Sequence, residues 1–451
     1  MQTGCTHAVS EVPARQISGF EWTTGYAASC RGPKTKAGVQ LRYRVEKFMT
    51  SIANGDCVVR VVAPRQIELT WCDGESARFH FVWLRQQHFH PAIGRPDLLC
   101  GRALRLPDEP ESLRVGSARI EHEHLIVDWA NDGARTCHEL GWLRSNAYDE
   151  HLRLARKPIL APWVGAQAAQ FPWHSWDEVM TNEEALWELF ATVRDRGLIR
   201  LSGAPVAEGV ISNLAGRFGT LRSTDFGSVS DIMSRPTAEA GRFANIGAGG
   251  FHQLAPHTDE GWRYAPPGLA FHLCLEQAPG GHGASMLCDG FLAAERLRQN
   301  DLESFDFLTR TPLRFAAARN PDERYFANGR LIVTDLDGDI IGVRFSDRTL
   351  GVQNLPSDLI EPAYHALRAF TKELYSEDLI YEHALAPGEM HIFDNHRVLH
   401  ARASFDPEVG PRRLQSCSVD REEFHNQLRQ LAEKLGHQED ANMTLPNGAL
   451  G

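Results

Sequence analysis

Short runs in which apolar and polar residues alternate, bounded by turn-forming pairs, constrain this chain more than any other feature. Val58-Val-Arg-Val-Val62, Gln66-Ile-Glu-Leu-Thr-Trp71, Ala77-Arg-Phe-His-Phe-Val-Trp83 and Leu125-Ile-Val-Asp-Trp129 have the period of half-buried strands. Asp73-Gly74 and Asp132-Gly133 stand where hairpin turns would fall. Further strands are predicted over residues 269–275, 331–335, 340–345 and 390–393, the middle two joined across Asp335-Leu-Asp-Gly-Asp339. Helical spacing is seen in residues 182–196 (Leu186, Leu189, Phe190, Val193) and 212–218, and two helices stand out late, over 356–375 and 421–435. Strands without a regular βαβ alternation argue against a parallel Rossmann sheet and for a mainly β fold, an antiparallel sandwich with flanking helices.

The 451 residues suffice for two or three packed cores. Residues 1–55 lack periodicity and are expected to form a flexible extension, with an organelle address as the other reading. Residues 56–150 then read as a small β-rich domain, residues 160–436 as the larger domain, and 437–451 as a disordered tail. Lys157-Pro-Ile-Leu-Ala-Pro-Trp163 reads as the linker.

The formal charge of −11 leaves no broad basic surface for phosphates, so nucleic acid is not an expected partner. No apolar run approaches the roughly 20 residues of a membrane helix, and no secretory signal is seen, so no membrane partner and a cytoplasmic location are expected. Nine scattered cysteines without a Cys-x-x-Cys pair fit reduced thiols. Cys274 and Cys288 are expected in core strands.

His257-Thr-Asp259 puts two hard ligands at i and i+2, which on an extended strand share a face. His400, in Asp394-Asn-His-Arg-Val-Leu-His400, could complete a facial set of two histidines and one carboxylate, which leaves positions open on an iron(II) centre. Arg412 and Arg413 follow on the next expected strand, where a buried arginine needs an anion such as a dicarboxylate.

With these residues the sequence resembles the iron(II) and 2-oxoglutarate dependent oxygenases of the taurine dioxygenase superfamily, in particular their gamma-butyrobetaine and trimethyllysine hydroxylase branch. The most specific matches are His257-Thr-Asp-Glu-Gly-Trp-Arg-Tyr-Ala-Pro-Pro-Gly268, Gly280-Gly-His-Gly-Ala-Ser-Met-Leu-Cys-Asp-Gly-Phe291 and Pro387-Gly-Glu-Met-His-Ile-Phe-Asp-Asn-His-Arg-Val-Leu-His400. The resemblance implies a double-stranded β-helix (jelly roll) catalytic domain behind the β-rich N-terminal domain, and a homodimer. It implies that His257, Asp259 and His400 bind iron, and that Arg412, with Arg413 as fallback, pairs with the distal carboxylate of 2-oxoglutarate. Ser285 and Asn245 match further cosubstrate positions. The implied reaction couples oxidative decarboxylation of 2-oxoglutarate by O2 to oxidation of an unactivated C–H bond, and retention of Asp259 argues against halogenation.

Two departures stand out. The aromatic cage that holds a trimethylammonium group in the carnitine-pathway enzymes falls here on Phe226, Ser230, Gly247 or Ala248, and Ser418. With at most one aromatic left, the expected substrate is a small organic molecule of secondary metabolism, hydroxylated or desaturated, and not a quaternary amine; Trp262 and Tyr264 are candidates for a different pocket wall. The structural zinc of the family's N-terminal domain is not expected either. Its cysteines fall on His88, His90 and Ile93 and its histidine on Ala134, with only Cys100, Cys137 and His138 nearby as substitutes. The rival readings are a gamma-butyrobetaine- or trimethyllysine-type hydroxylase, a zinc hydrolase on the same three ligands, which gives Arg412 no task, and a catalytically lapsed binding protein.

Overall fold

The computed structural model describes residues 57–87, 112–158, 160–224, 227–233, 253–318, 324–406 and 410–437. All belong to one compact unit, Asp56–Gly451. The first expected segment, the tail beyond residue 437, Asn245, Phe226, Gly247, Ala248 and the residues of the zinc question up to Cys100 lie outside the described residues.

The N-terminal part holds two three-stranded antiparallel sheets. The first joins β1 (Val58–Val62), β2 (Gln66–Thr70) and β3 (Ser76–His80), the second β4 (Val115–Glu121), β5 (His124–Trp129) and β6 (Arg135–Glu139). Alternation drives both: Ile67, Leu69, Ala77 and Phe79 from one sheet and Leu125, Val127 and Trp129 from the other share a buried cluster with Trp71 and Leu84. Burying each of the large side chains stabilises the fold by about 2–3 kcal/mol. Gly74 and Gly133 take positive φ in the two Asp-Gly turns, and the Oδ1 atoms of Asp73 and Asp132 accept backbone N–H bonds two residues on. The strand expected through Trp83 ends at His80, and Phe81–Gln86 is a helix instead. Phe81 and Leu84, three apart, are both buried, so a helical turn satisfies the apolar residues that alternation had assigned to a strand.

The remaining strands are β7 (Trp173–Ser175), β8 (Leu198–Ser202), β9 (Val229–Met233), β10 (Leu254–His257), β11 (Leu269–Glu276), β12 (Ser285–Asp289), β13 (Leu313–Ala318), β14 (Arg324–Gly329), β15 (Ile332–Thr334), β16 (Ile340–Val343), β17 (Tyr381–His383), β18 (Met390–Asp394), β19 (Val398–Arg402) and β20 (Arg413–Val419). Six form one sheet in the order β7-β8-β18-β11-β20-β9, and four form another in the order β10-β19-β12-β17. Among the described residues only the β7–β8 pairing is parallel. The chain passes back and forth between these sheets, from β10 to β11 to β12 and from β17 through β18 and β19 to β20. Such alternation winds two sheets around a shared interior.

Outside the larger sheet, Phe271, Leu273, Ile392 and Val419 pack on the helices Glu183–Arg196, Val210–Phe218 and Arg421–Leu435. The Phe218 and Phe271 rings meet edge to face at 5.1 Å. Asn182 caps the first helix by accepting from the Glu184 N–H, and Gly197 closes it in the left-handed region. A third apolar cluster joins Phe291 and Phe315 to the helix Ser357–Leu374. The fully buried Asp289 and Arg397 pair at 2.8 Å, and the guanidinium also donates to the carbonyls of Asp195 and Ala161, which ties β12 to the turn before β19. At the junction of the N-terminal part, the Lys157 ammonium lies 2.6, 2.5 and 2.7 Å from the carboxylates of Asp335, Asp337 and Asp339, and Arg153 also pairs with Asp337.

The described cysteines, Cys57, Cys72, Cys137, Cys274, Cys288 and Cys417, are all unpaired. No helix among the described residues is long and apolar enough to cross a membrane.

Candidate metal centre

β10 and β19 are paired with His257 directly opposite His400, and their rings lie 4.2 Å apart. β10 ends at His257, so Asp259 reaches the site from a turn, not from the strand on which the sequence spacing placed it. Asn395 fixes that turn: its Oδ1 accepts from the Asp259 N–H at 2.7 Å, and its Nδ2 donates to the carbonyls of Asp259 and Pro267. Thr258 bonds the Phe345 backbone, and Glu260 adopts φ 51°, a left-handed conformation rare for a side chain of its kind.

The Asp259 Oδ1 atom stands 3.8 Å from the Nε2 of His257 and 3.7 Å from that of His400. Among the described residues these three form the cluster of His, Cys, Asp or Glu able to hold a metal, with ligand atoms within 4.8 Å of one another. The His257 Nδ1 atom lies 2.9 Å from the Ala255 carbonyl, which only accepts, so Nδ1 carries the proton and the Nε2 lone pair faces Asp259. Burial pushes the His257 imidazole down to about 3, helped by His400 and Arg348, and holds His400 well below its ordinary value, helped by His272 and Arg348. Both rings therefore stay neutral and offer lone pairs at neutral pH. Two neutral imidazoles and one carboxylate suit a divalent iron ion with coordination positions to spare. The Asp259 side chain is 38% exposed, so the centre opens to solvent on that side.

Arg412 precedes β20 and is buried, and no acidic partner meets it among the described residues. Burial and the neighbouring Arg402 pull its guanidinium down to about 10. A buried cation in that state favours an anionic ligand. Arg402 is buried two residues beyond His400 on the same face of β19, and Arg348 acts electrostatically on Asp259, His257 and His400. A chain of net charge −11 thus gathers positive charge around this candidate centre.

Ser285 is buried at the start of β12, in register with Arg402. Arg413 points to the opposite side of β20 from Arg412 and pairs with Glu208 at 2.7 Å and Asp231 at 2.9 Å. Ser418 is buried on β20 opposite Ala270, on the interior face of the sheet. Trp262 packs against the third apolar cluster, whereas Tyr264 is 84% exposed. Cys137 is exposed on β6, and the His138 Nε2 atom sits 3.1 Å from the Thr136 hydroxyl. Cys274 and Cys288 are buried in β11 and β12, where desolvation raises both thiols, that of Cys274 to about 11.

Sequence reasoning missed four residues here: Asn395, Arg402, Arg348 and His272. The last lies on β11, its ring 5.2 Å from those of both His400 and Phe393.

Residues 156–418 match the Taurine catabolism dioxygenase TauD, TfdA family. A gamma-butyrobetaine dioxygenase from Pseudomonas sp. (strain AK-1) is 31% identical over 378 residues, covering 80% of this chain and 92% of that protein. The human gamma-butyrobetaine dioxygenase is 24% identical over 82% of this chain and 95% of its own length. A bovine mitochondrial trimethyllysine dioxygenase is 27% identical over 78% of this chain and 83% of its own. The chain therefore belongs to the TauD/TfdA family, on the side of its gamma-butyrobetaine and trimethyllysine dioxygenases, and is an iron(II)- and 2-oxoglutarate-dependent dioxygenase.

Proposed function

We propose that this dioxygenase hydroxylates an aliphatic C–H bond of a small carboxylic acid that bears a trimethylammonium group, of the kind for which its relatives are named, gamma-butyrobetaine or trimethyllysine. Identity of 31% extending over 92% of the Pseudomonas relative supports this reading. It corrects the expectation from sequence of a secondary-metabolic substrate without a quaternary amine. That expectation rested on cage positions of which Phe226, Gly247 and Ala248 lie outside the described residues.

The observation that carries the chemistry is the convergence of His257, Asp259 and His400 beside a buried arginine. When bound, iron(II) together with 2-oxoglutarate and dioxygen supplies the oxidising power for the C–H bond. His257 and His400 present neutral Nε2 lone pairs, and the Asp259 carboxylate offsets part of the metal's charge. Asn395 holds Asp259 in place from behind, the role outer partners play around a metal ligand. Arg412, not the surface-paired Arg413, holds the distal carboxylate of 2-oxoglutarate, and Ser285 hydrogen-bonds the same molecule. The same reading includes a double-stranded β-helix, a division of the chain near residue 150 and a homodimer, the last to be checked by sedimentation.

A second reading keeps the same chemistry on a substrate without a trimethylammonium group. Ser230 and Ser418 favour it, since hydroxyls stand on the interior face of β9 and β20 where the resemblance places cage aromatics. Succinate release and product mass, measured with gamma-butyrobetaine, trimethyllysine, 4-aminobutyrate and lysine, decide between the two. Faster coupled turnover of the trimethylated members supports the first reading. Preference for the unmethylated pair, or turnover of none of the four, removes it.

A further inference from the structure

β11 alternates Leu269, Phe271 and Leu273, which pack outward on helices, with Ala270, His272 and Cys274, which face the interior. His272 is in register with Ser416 on β20 and with His391 on β18. Its imidazole is buried, edge-on to the His400 ring at 5.2 Å, and it interacts electrostatically with both Asp259 and Arg412. Neither ring nitrogen makes a hydrogen bond among the described residues. Neither nitrogen is among the fully enclosed ones left unpaired, and a polar side chain turned into a binding cavity commonly meets its partner in the ligand.

We propose that His272 is a positioning residue for the cosubstrate, its imidazole N–H donating a hydrogen bond to a carboxylate oxygen of 2-oxoglutarate between the iron ligands and Arg412. The inference rests on the assignment of Arg412 to that dianion. β11 pairs with β20, the strand that Arg412 precedes, and His272 stands on its interior face with its ring against that of His400, so its imidazole is placed to meet a molecule that reaches from the metal ligands to Arg412. One donor added to a guanidinium and a metal ion fixes the torsion of a flexible diacid, which a single distal cation leaves free. The Phe393 ring, 5.2 Å away and edge-on, holds the imidazole plane.

The test is an anaerobic titration of the full-length iron(II)-loaded protein with 2-oxoglutarate, read from the visible charge-transfer band. It compares wild type, His272→Phe, His272→Gln and Arg412→Gln, with iron(II) affinity measured separately for each. His272→Phe keeps a ring and removes the donor, and is expected to weaken 2-oxoglutarate binding about tenfold, the effect of one hydrogen bond to a charged group. Iron(II) affinity should stay at the wild-type value, the band should shift in wavelength, and His272→Gln should recover part of the lost affinity. Wild-type 2-oxoglutarate affinity in His272→Phe overturns the proposal, as does an equal loss of iron(II) affinity, which would make His272 a packing support for His400. Wild-type affinity in Arg412→Gln would sink the arginine assignment separately, whatever the His272 variants do.

Discussion

Along β11 the outward side chains Phe271 and Leu273 meet helices, while the inward ones, Ala270, His272 and Cys274, face the strands that bear His257 and His400. The row through His272 reads Arg200, His391, His272, Ser416 and Ser230 from β8 to β9, polar at these five positions, and ends on β7 at Trp173, whose ring the Arg200 guanidinium covers. On the outer face the row through Phe271 reads Ile199, Ile392, Phe271, Cys417 and Val229, apolar throughout. The outer face provides burial energy. The inner row gives up part of that energy for polar groups on the side of the candidate site.

If this division holds, changes on the two faces should separate stability from binding. The largest effect is expected for Asp259→Ala: iron(II) binding and substrate oxidation should fall to background in metal titration and succinate assays, with the urea midpoint little changed. A collapse of stability in that variant would break the comparison. Phe271→Ala on the outer face should cost about 3–5 kcal/mol in urea unfolding, as large-to-small core changes do, while the folded fraction keeps its iron affinity. Arg412→Gln should weaken 2-oxoglutarate binding by about 1.5–3 kcal/mol, the scale of a hydrogen bond to a charged group, as read from calorimetry, with unfolding nearly unmoved. A destabilisation matching that of Phe271→Ala would mean that the arginine is structural.

The smallest effect is a pH dependence at the boundary between the two faces. Burial alone would raise the Asp394 carboxyl, but Arg421, 2.5 Å away, and His396 hold it below its ordinary 3.8. A carboxyl lowered in the folded state stabilises the protein above its unfolded value and loses that contribution as pH falls below about 3.8. Urea midpoints followed from pH 6 to pH 3 should therefore drop in wild type and drop less in Asp394→Asn. Parallel curves would remove Asp394 from the account.

The candidate set was legible in part because its pieces are local: His257 and Asp259 lie two residues apart, and His400 stands in a distinctive run with Arg412 twelve residues on, while the joining of the two pieces rested on the resemblance. Asp-Gly turns and helix limits were legible for the same reason, since caps and positive-φ glycines act within a few residues. His272 was not read, because a single histidine in an apolar strand looks like core. Its parity was the available signal: it falls on the opposite register from Leu269, Phe271 and Leu273, and so on the opposite face. Asn395 sat in plain view in the run before His400, yet its work on Asp259 depends on a contact across 136 residues that no local pattern encodes. Tyr264 shows the converse, an aromatic beside the iron motif that faces solvent.

The triple pairing of Lys157 bears on where this protein can be cut. Its three aspartates belong to one tight turn in which the Asp337 and Asp339 amides both donate to Asp335 Oδ1, so the carboxylates cannot move apart. A shortened oxygenase starting at residue 160 would keep that crowded turn and discard Lys157 and Arg153, its two cations. One starting a few residues before Arg153 would keep the charges matched. The shortest self-sufficient catalytic fragment should thus carry the end of the preceding region with it.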